Sequence, residues 1–312
     1  MNLIDFNRQF PNEEACRQHL KAVREKQGIV CSKCGHIHHY WKGYRSQWQC
    51  KRCGHRTSLT SGTVMHGTKL PLYYWFIAIH LLTSTKKTFS ASELQRQLGH
   101  KGYQPIWELL HKLRTIMGER DGRYTLEGVI ELDEGFFTID CDTDTQRHRG
   151  RGSEAKAKVL VMAESFPSKE GQGRKKINRS VRHIKMKVIP NLRAETIDEE
   201  VMDAIEPDSE LITDKSTSYA HFCDMVERHK AQVIPPREVG KILPWVHIVI
   251  SNAKRQLLDV FHSVDEDYLQ SYLDEFCYKF NRRSMDLFER LMIAGISYQN
   301  QFMHRIYVRN VA

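Results

Sequence analysis

Val129-Ile-Glu-Leu-Asp133 is a short apolar run of β type that ends in a carboxylate, and Leu211-Ile-Thr-Asp214 has the same form much later in the chain. Further β-type runs cover 158–163, 183–189 and 232–234, with a basic loop at 168–182 between the first two, and helical patterns cover 194–205, 219–229 and most of the remainder. Strands that come first and then alternate with helices indicate an α/β or α+β sheet domain.

The two strand-end aspartates are candidate metal ligands. A strand holds such a carboxylate rigidly, and two carboxylates on neighbouring strands could share one or two divalent ions. Two-metal sites place the ions roughly 4 Å apart, where they activate a nucleophile and stabilise a leaving oxygen in phosphoryl transfer. A single aspartate is more typical of a surface or capping position. Glu131 shares a strand face with Asp133 and is an alternative to it.

A third candidate group lies in the segment that begins Leu243-Pro-Trp-Val-His247. Pro244 suits the first position of a helix, and His247, Ser251 and Lys254 then fall on one helix face. A histidine one turn from a hydroxyl and two turns from a cation suits a site that processes phosphate. A lone histidine on a partly apolar helix is more typical of a core residue.

Four cysteines have the spacing of a zinc site. Cys31 and Cys34 form one C-x-x-C pair, Cys50 and Cys53 form another, and residues 35–49 separate the pairs. Two such knuckles predict a tetrahedral Zn²⁺ site without an open position, whose metal contributes to the fold of a small ribbon. The other cysteines are isolated and are interpreted as structural thiols: Cys16, Cys141, Cys223 and Cys277.

The ribbon is also rich in aromatic and basic side chains, namely Trp41, Tyr44, Arg45, Trp48, Lys51 and Arg52. This mixture suits contact with DNA or RNA. The alternative is that the aromatic side chains pack the ribbon onto the next helix.

Helical patterns surround the ribbon. One amphipathic helix is predicted over 5–27, another over 72–83, and a third from the capping pattern of Ser90 and Glu93 to Gly99. A further pattern covers 104–117, so two short helices flank a glycine turn, as in a helix-turn-helix. The polar stretch 118–124 is interpreted as a linker. The predicted organisation is a helix with a zinc ribbon in 1–62, a helix-turn-helix-like region in 63–120 and a sheet domain in 124–312.

Composition favours a nucleic-acid partner. The 312 residues carry a formal net charge of +9, with 40% hydrophobic and 27% charged residues. A basic protein suits a polyanionic partner. The longest apolar run, 73–82, is too short to span a bilayer, so no membrane association is expected. The N-terminus lacks the apolar region of a signal peptide, so the expected location is the cytoplasm, where cysteines remain reduced.

Taken together, these segments resemble the insertion-sequence transposases of the DDE superfamily, in the ISXO-like group with an N-terminal zinc ribbon. The resemblance spans nearly the whole chain and is most specific in LPWVHIVISNAKRQLL and YLDEFCYKFNRR. His247 follows Asp214 by 33 positions and Lys254 follows His247 by 7, which is the spacing of the superfamily's third acidic residue and its basic partner. The chain departs from the pattern in having histidine at 247. Asp259 or Glu238 is an alternative third ligand.

The resemblance implies an RNase H-like catalytic domain, with a mixed sheet flanked by helices. It implies that Asp133, Asp214 and His247 hold Mg²⁺ or Mn²⁺, with action on a proton or a phosphate as the alternative for His247. It also implies that Lys254 and Arg255 contact phosphates, with a solvated helix face as the alternative. It further implies that the protein binds double-stranded DNA at the inverted repeats of a mobile element and catalyses strand cleavage and strand transfer. A homo-oligomer is expected, because two DNA ends must be brought together. The segments 174–176 and 179–187 are candidate DNA contacts or, alternatively, a solvated loop. Two alternatives stay open: a catalytically inactive DNA-binding regulator, and a structure-directed nuclease without strand transfer.

Overall fold

The computed structural model describes residues 1–140, 155–167, 179–214, 219, 221–232 and 242–297. Cys141, Glu238 and the basic triplet at 174–176 lie outside the described residues, so the interpretations given for them above stay predictions.

Contacts divide the chain into two compact units. One unit comprises Met1–Met117 with Ser284–Ala312, and the other comprises Gly118–Arg283. Residues from 284 onward therefore group with the first unit, whereas the predicted sheet domain extended over 124–312. The predicted separation of 1–62 from 63–120 stays a prediction.

The described helices are, in chain order, α1 (Leu3–Gln9), α2 (Glu13–Gln27), α3 (Leu72–Ser84), α4 (Ala91–Leu98), α5 (Gln104–Asp121), α6 (Ala194–Ala204), α7 (Pro244–Leu258), α8 (Glu266–Asn281) and α9 (Leu287–Ser297). The described strands are β1 (His39–Lys42), β2 (Gln47–Cys50), β3 (Arg56–Ser58), β4 (Val129–Thr138), β5 (Lys156–Pro167), β6 (Arg179–Ile189), β7 (Glu210–Asp214) and β8 (Arg228–Gln232).

The helix starts of the first unit follow from local sequence. The predicted single helix over 5–27 is two helices, because Pro11 prevents one continuous helix. Asn12 caps α2, since its side-chain oxygen accepts a hydrogen bond from the amide of Ala15 at 3.0 Å. Ser90 caps α4 in the predicted way, with the amide of Glu93 donating to its hydroxyl at 3.1 Å. Gly99 ends α4 at φ +61°, a left-handed conformation that glycine adopts without strain.

Two predictions for the second unit are wrong. The predicted linker at 118–124 begins as the last turn of α5, since Asp121 forms a salt bridge with Arg282 at 2.6 Å and accepts a hydrogen bond from Asn281 at 3.1 Å. The predicted helix over 219–229 is absent from its described residues, which hold a single turn, Phe222–Asp224, and the start of β8. Pairing with β7 outweighs local helix preference there.

The second unit contains a mixed five-stranded sheet of order β6-β5-β4-β7-β8. Strands β4, β5 and β6 pair antiparallel, whereas β7 pairs parallel to β4, and β8 parallel to β7. Strand β6 begins at Arg179, so part of the predicted basic loop 168–182 is strand. Helices flank the sheet: side chains of α7 and α8 pack in one hydrophobic cluster with β4, β5 and β6, and side chains of α6 pack in a second cluster with β4, β5 and β7. This is the expected RNase H-like architecture.

No helix among the described residues is both long enough and apolar enough to cross a bilayer.

Candidate active site and zinc centre

Asp133 and Asp214 lie at the same level on neighbouring strands. Strands β4 and β7 are in parallel register, and their last pair is Glu131 with Ile212. Asp133 and Asp214 each follow that pair by two residues, so both project from the same face of the sheet. The structure therefore brings together two carboxylates that are distant in sequence.

His247 lies beside the first of these carboxylates. Its Nδ1 is 3.6 Å from Oδ2 of Asp133, which is longer than a hydrogen bond, and the two side chains are 32% and 18% exposed. Burial lowers the pKa of His247 and favours the neutral imidazole. The Nε2 atom is buried, and it has no hydrogen-bond partner among the described residues. A neutral imidazole has the chemistry of a metal ligand, and Nδ1 is the nitrogen that lies beside Asp133.

Glu131 has a different role from Asp133, although the two share a strand face. The residue before α7 is Leu243, which offers no capping side chain. Glu131 caps the helix from the sheet instead, since Oε2 accepts hydrogen bonds from the amides of Trp245 at 2.7 Å and Val246 at 3.1 Å. Burial raises the pKa of Glu131 to about 7, against the opposing effect of these two amides. Sequence analysis missed this role. The available signal was a predicted helix that begins at Pro244 with no capping side chain before it.

Substitution of Glu131 by alanine is expected to lower the free energy of unfolding by about 2 kcal/mol, because it leaves one partly buried and one buried amide at the start of α7 without an acceptor. Glutamine keeps an acceptor and is expected to lose less. The exposed Glu127, which pairs with Arg182 at 2.8 Å, gives a matched control: Glu127→Ala is expected to change stability by less than about 0.5 kcal/mol. Urea unfolding measures all three variants. Equal stability of Glu131→Ala and the unsubstituted protein would contradict the capping role.

Glu134 projects to the other face of the sheet. Its carboxylate accepts a hydrogen bond from the hydroxyl of Tyr219, which is 1% exposed and belongs to the cluster around α6. Burial raises the pKa of Glu134, and the charges of Asp133 and Asp214 raise it further. Glu134 is thus close enough to sense both aspartates electrostatically.

The basic candidates lie farther along α7. Lys254 is half-buried, with Nζ 5.5 Å from the centre of the Phe137 ring, and Arg255 is exposed. Asp259, the alternative third ligand, lies 12 residues after His247, about 18 Å along a helix axis, and therefore lies far from the Asp133 carboxylate that His247 adjoins. Among the described residues, only the four ribbon cysteines form a group whose ligand atoms all lie within 4.8 Å of one another. The ligand atoms of Asp133, Asp214 and His247 do not all lie this close together.

The cysteine group fits zinc. The four sulfurs of Cys31, Cys34, Cys50 and Cys53 lie within 4.8 Å of one another. Two of the sulfur pairs are 3.5 and 3.6 Å apart, close to the spacing of about 3.8 Å that a tetrahedral ion imposes at a Zn–S distance of about 2.3 Å.

Both knuckles have the same backbone geometry. The amide of Gly35 donates to the carbonyl of Cys31 at 2.9 Å, and the amide of Gly54 donates to that of Cys50 at 3.0 Å. Both glycines adopt left-handed conformations, at φ +68° and +71°, that non-glycine residues rarely accept. The glycine after each pair therefore closes the turn that points two sulfurs inward.

The aromatic and basic residues of the ribbon differ in their exposure. Trp48 is 2% exposed, and its indole donates to Glu25 of α2 at 3.1 Å, so it packs the ribbon on the helix and is not available to DNA. Trp41 is half-buried beneath the ammonium group of Lys21, at 5.2 Å. The other predicted DNA contacts, Arg45 and Arg52, are both exposed.

Two protein-family models match the chain. The model of the ISXO2-like transposase domain matches residues 125–281, and the model of the transposase zinc-ribbon domain matches residues 11–56. No curated protein matches the chain.

Solved structures that resemble the chain include two Mos1 complexes. One is a pre-cleavage Mos1 transpososome, at 10% identity over 70% of this chain and 78% of that chain, with a TM-score of 0.25. The other is a Mos1 transposase paired-end complex with the left transposon end, at 12% identity over 75% and 82%, with a TM-score of 0.23. The ISXO2-like domain model alone covers just over half of the 312 residues, and the chain therefore belongs to the ISXO2-like transposase family.

Proposed function

We propose that this protein is an active DNA transposase that binds the terminal inverted repeats of an insertion sequence, cleaves a strand at each end and joins that end to target DNA. The observation that carries the proposal is the meeting of Asp133 and Asp214 on adjacent parallel strands, with His247 at 3.6 Å from Asp133. Family membership supports the same chemistry.

The residues of this site suit a hard divalent cation. Asp133 and Asp214 offer the carboxylate oxygens that Mg²⁺ and Mn²⁺ prefer, and His247 offers a neutral nitrogen that Mn²⁺ accepts more readily than Mg²⁺. Such ions, when bound, activate water or a 3′ hydroxyl and stabilise the leaving oxygen. Glu131 fixes the start of α7 against β4 and so holds His247 next to Asp133. Lys254 and Arg255 are proposed to contact phosphates on either side of the scissile bond.

The first unit is proposed to recognise the element's ends. Most of α5 is buried, but its exposed start, at Gln104 and Pro105, follows the exposed Tyr103 and the turn at Gly99. The first residues of the second helix are the ones that read bases in a helix-turn-helix. On the ribbon, Trp41, Arg45 and Arg52 are proposed to contact the DNA backbone. Two ends must be held together for transposition, so we propose a homo-oligomer on DNA.

A strand-transfer assay tests the proposal. The DNA that flanks the gene is searched for inverted repeats, and these define a labelled duplex that is incubated with purified protein, Mg²⁺ or Mn²⁺, and a target plasmid. Labelled ends joined to the plasmid are expected only with a divalent ion. Nicks without joined products would identify a nuclease without strand transfer. Binding without nicks at every ion concentration would identify an inactive regulator, and either result would overturn the proposal.

A further inference from the structure

The second unit contains a pocket of about 500 Å³ whose walls continue the strand and the helix of the active site. Phe137, Leu257 and Phe261 give it an apolar, partly aromatic floor, and Lys156 and Lys254 also line it. We propose that this pocket binds a single nucleotide of the DNA substrate, with the base against the aromatic floor and a phosphate between the two lysines. The inference rests on the proposed function and adds to it a subsite for one nucleotide.

The position of the pocket relates it to the scissile bond. Phe137 follows Asp133 by four residues on the same face of β4, a distance of about 13 Å. Lys254 follows His247 by seven residues on the same face of α7, about 10 Å along the axis. Since each DNA strand carries one phosphate per about 3.4 Å of duplex axis, the pocket is within reach of a nucleotide roughly three or four positions from the cleaved bond.

The charge of the pocket selects an anionic ligand. Lys156, Lys254 and His262 line it, and the described lining residues include neither Asp nor Glu. Both lysines line the same pocket, so their ammonium groups repel each other, and burial together with the charge of Lys156 lowers the pKa of Lys254. A phosphate between them would replace this repulsion by two attractions. An uncharged apolar ligand would leave the repulsion in place.

The floor of the pocket selects a ligand that also has a flat apolar part. Phe261 is half-buried, with its ring centre 4.7 Å from that of Tyr272, so part of its ring is accessible to a base, whereas Phe137 is 2% exposed and forms the wall behind the ammonium group of Lys254. A ring held as Phe261 is loses little freedom when a base stacks on it. Base stacking on an aromatic side chain contributes about 1–3 kcal/mol and tolerates any base. The volume lies in the range of about 300–1,000 Å³ that is typical of small-ligand sites. A free phosphate ion would use the lysines but not the floor.

Fluorescence of 2-aminopurine tests the inference. Duplexes of the element's end carry the analogue at one position each, up to six positions on either side of the cleaved bond, and Asp133→Asn protein keeps the DNA intact. At one position, the fluorescence is expected to rise at least twofold on binding as the base leaves its stack. Phe261→Leu and Lys156→Gln, each combined with Asp133→Asn, are expected to remove at least half of that rise. Lys230→Gln is the matched control, because Lys230 is exposed on β8 and pairs with Glu210 at 2.5 Å.

The outcomes separate this inference from the proposed function. A rise at one position that both pocket variants reduce and Lys230→Gln leaves unchanged supports the subsite. If the unsubstituted protein cleaves DNA but no position responds, or if the response is the same in both pocket variants, the subsite is refuted and the transposase proposal stands. No cleavage by the unsubstituted protein would refute the proposed function itself, whereas cleavage at the normal rate by Asp133→Asn would refute only the assignment of Asp133 to the catalytic site.

Discussion

Asp133→Asn and Asp214→Asn are each expected to lower the rate of strand cleavage by at least about 10³-fold while leaving the affinity for the element's ends within about twofold. Divalent ions contribute several kcal/mol to stabilising a phosphoryl-transfer transition state, and each 1.36 kcal/mol is a factor of ten in rate. Asparagine keeps the size of the side chain but removes the negative charge that binds the ion. Single-turnover cleavage of labelled ends measures the rate, and gel shift without divalent ions measures the affinity.

Asp259→Asn is the matched control for both variants. Asp259 is an exposed aspartate at the end of α7, about 18 Å along the helix from His247. Its replacement is expected to leave the cleavage rate within about twofold, since ionic contacts at exposed positions contribute little. Cleavage at the normal rate by either variant would remove the substituted aspartate from the catalytic site. Loss of cleavage in Asp259→Asn would show that the third ligand has been assigned to the wrong residue.

Cys50→Ser is expected to abolish stoichiometric zinc binding and unfold the ribbon. A structural zinc ion contributes about 10–16 kcal/mol of binding free energy to a small ribbon. The strands β1, β2 and β3 around the four sulfurs are short, so the ribbon depends on the metal for its fold. Elemental analysis is expected to find one zinc ion per chain in the unsubstituted protein and almost none in the variant. Limited proteolysis is expected to cut the variant between Cys31 and Ser58.

Cys223→Ser serves as the control for thiol loss as such. Cys223 is an exposed free cysteine outside the ribbon. Its replacement is expected to leave the zinc content and the protease resistance unchanged. A chelator applied to the unsubstituted protein is expected to reproduce the proteolysis pattern of Cys50→Ser. An intact, protease-resistant ribbon in Cys50→Ser without zinc would contradict a metal-dependent fold.

Local signals predicted most of the elements. Apolar runs of β type located β4, β5, β6 and β7, and Ser90, Gly99 and Pro244 marked helix ends that the structure confirms. The failures occurred where long-range contacts outweigh local preference. The last turn of α5 is held by Arg282 and Asn281 of a distant segment, and β8 exists because β7 offers it a parallel partner.

The candidate site was predictable in its residues but not in its geometry. A carboxylate at the end of a β-type run indicates a strand-end side chain, but the run does not reveal which other strand lies beside it. The distinct roles of Glu131, Asp133 and Glu134 also depend on tertiary structure, since one caps a helix, one lies beside His247 and one binds Tyr219 on the opposite face. Sequence spacing predicted the separation of Lys254 from His247. The pocket around Lys254 could not be predicted, because its walls come from segments that are distant in sequence.

The register between β4 and β7 restricts how relatives of this chain can diverge. The segment between Asp133 and Asp214 is free to gain or lose residues wherever loops absorb them. A single-residue insertion within Glu210–Asp214 would instead turn the Asp214 side chain to the opposite face of the sheet, because strand side chains alternate. Functional relatives should therefore vary widely in the length of this segment yet preserve the phase of both strands.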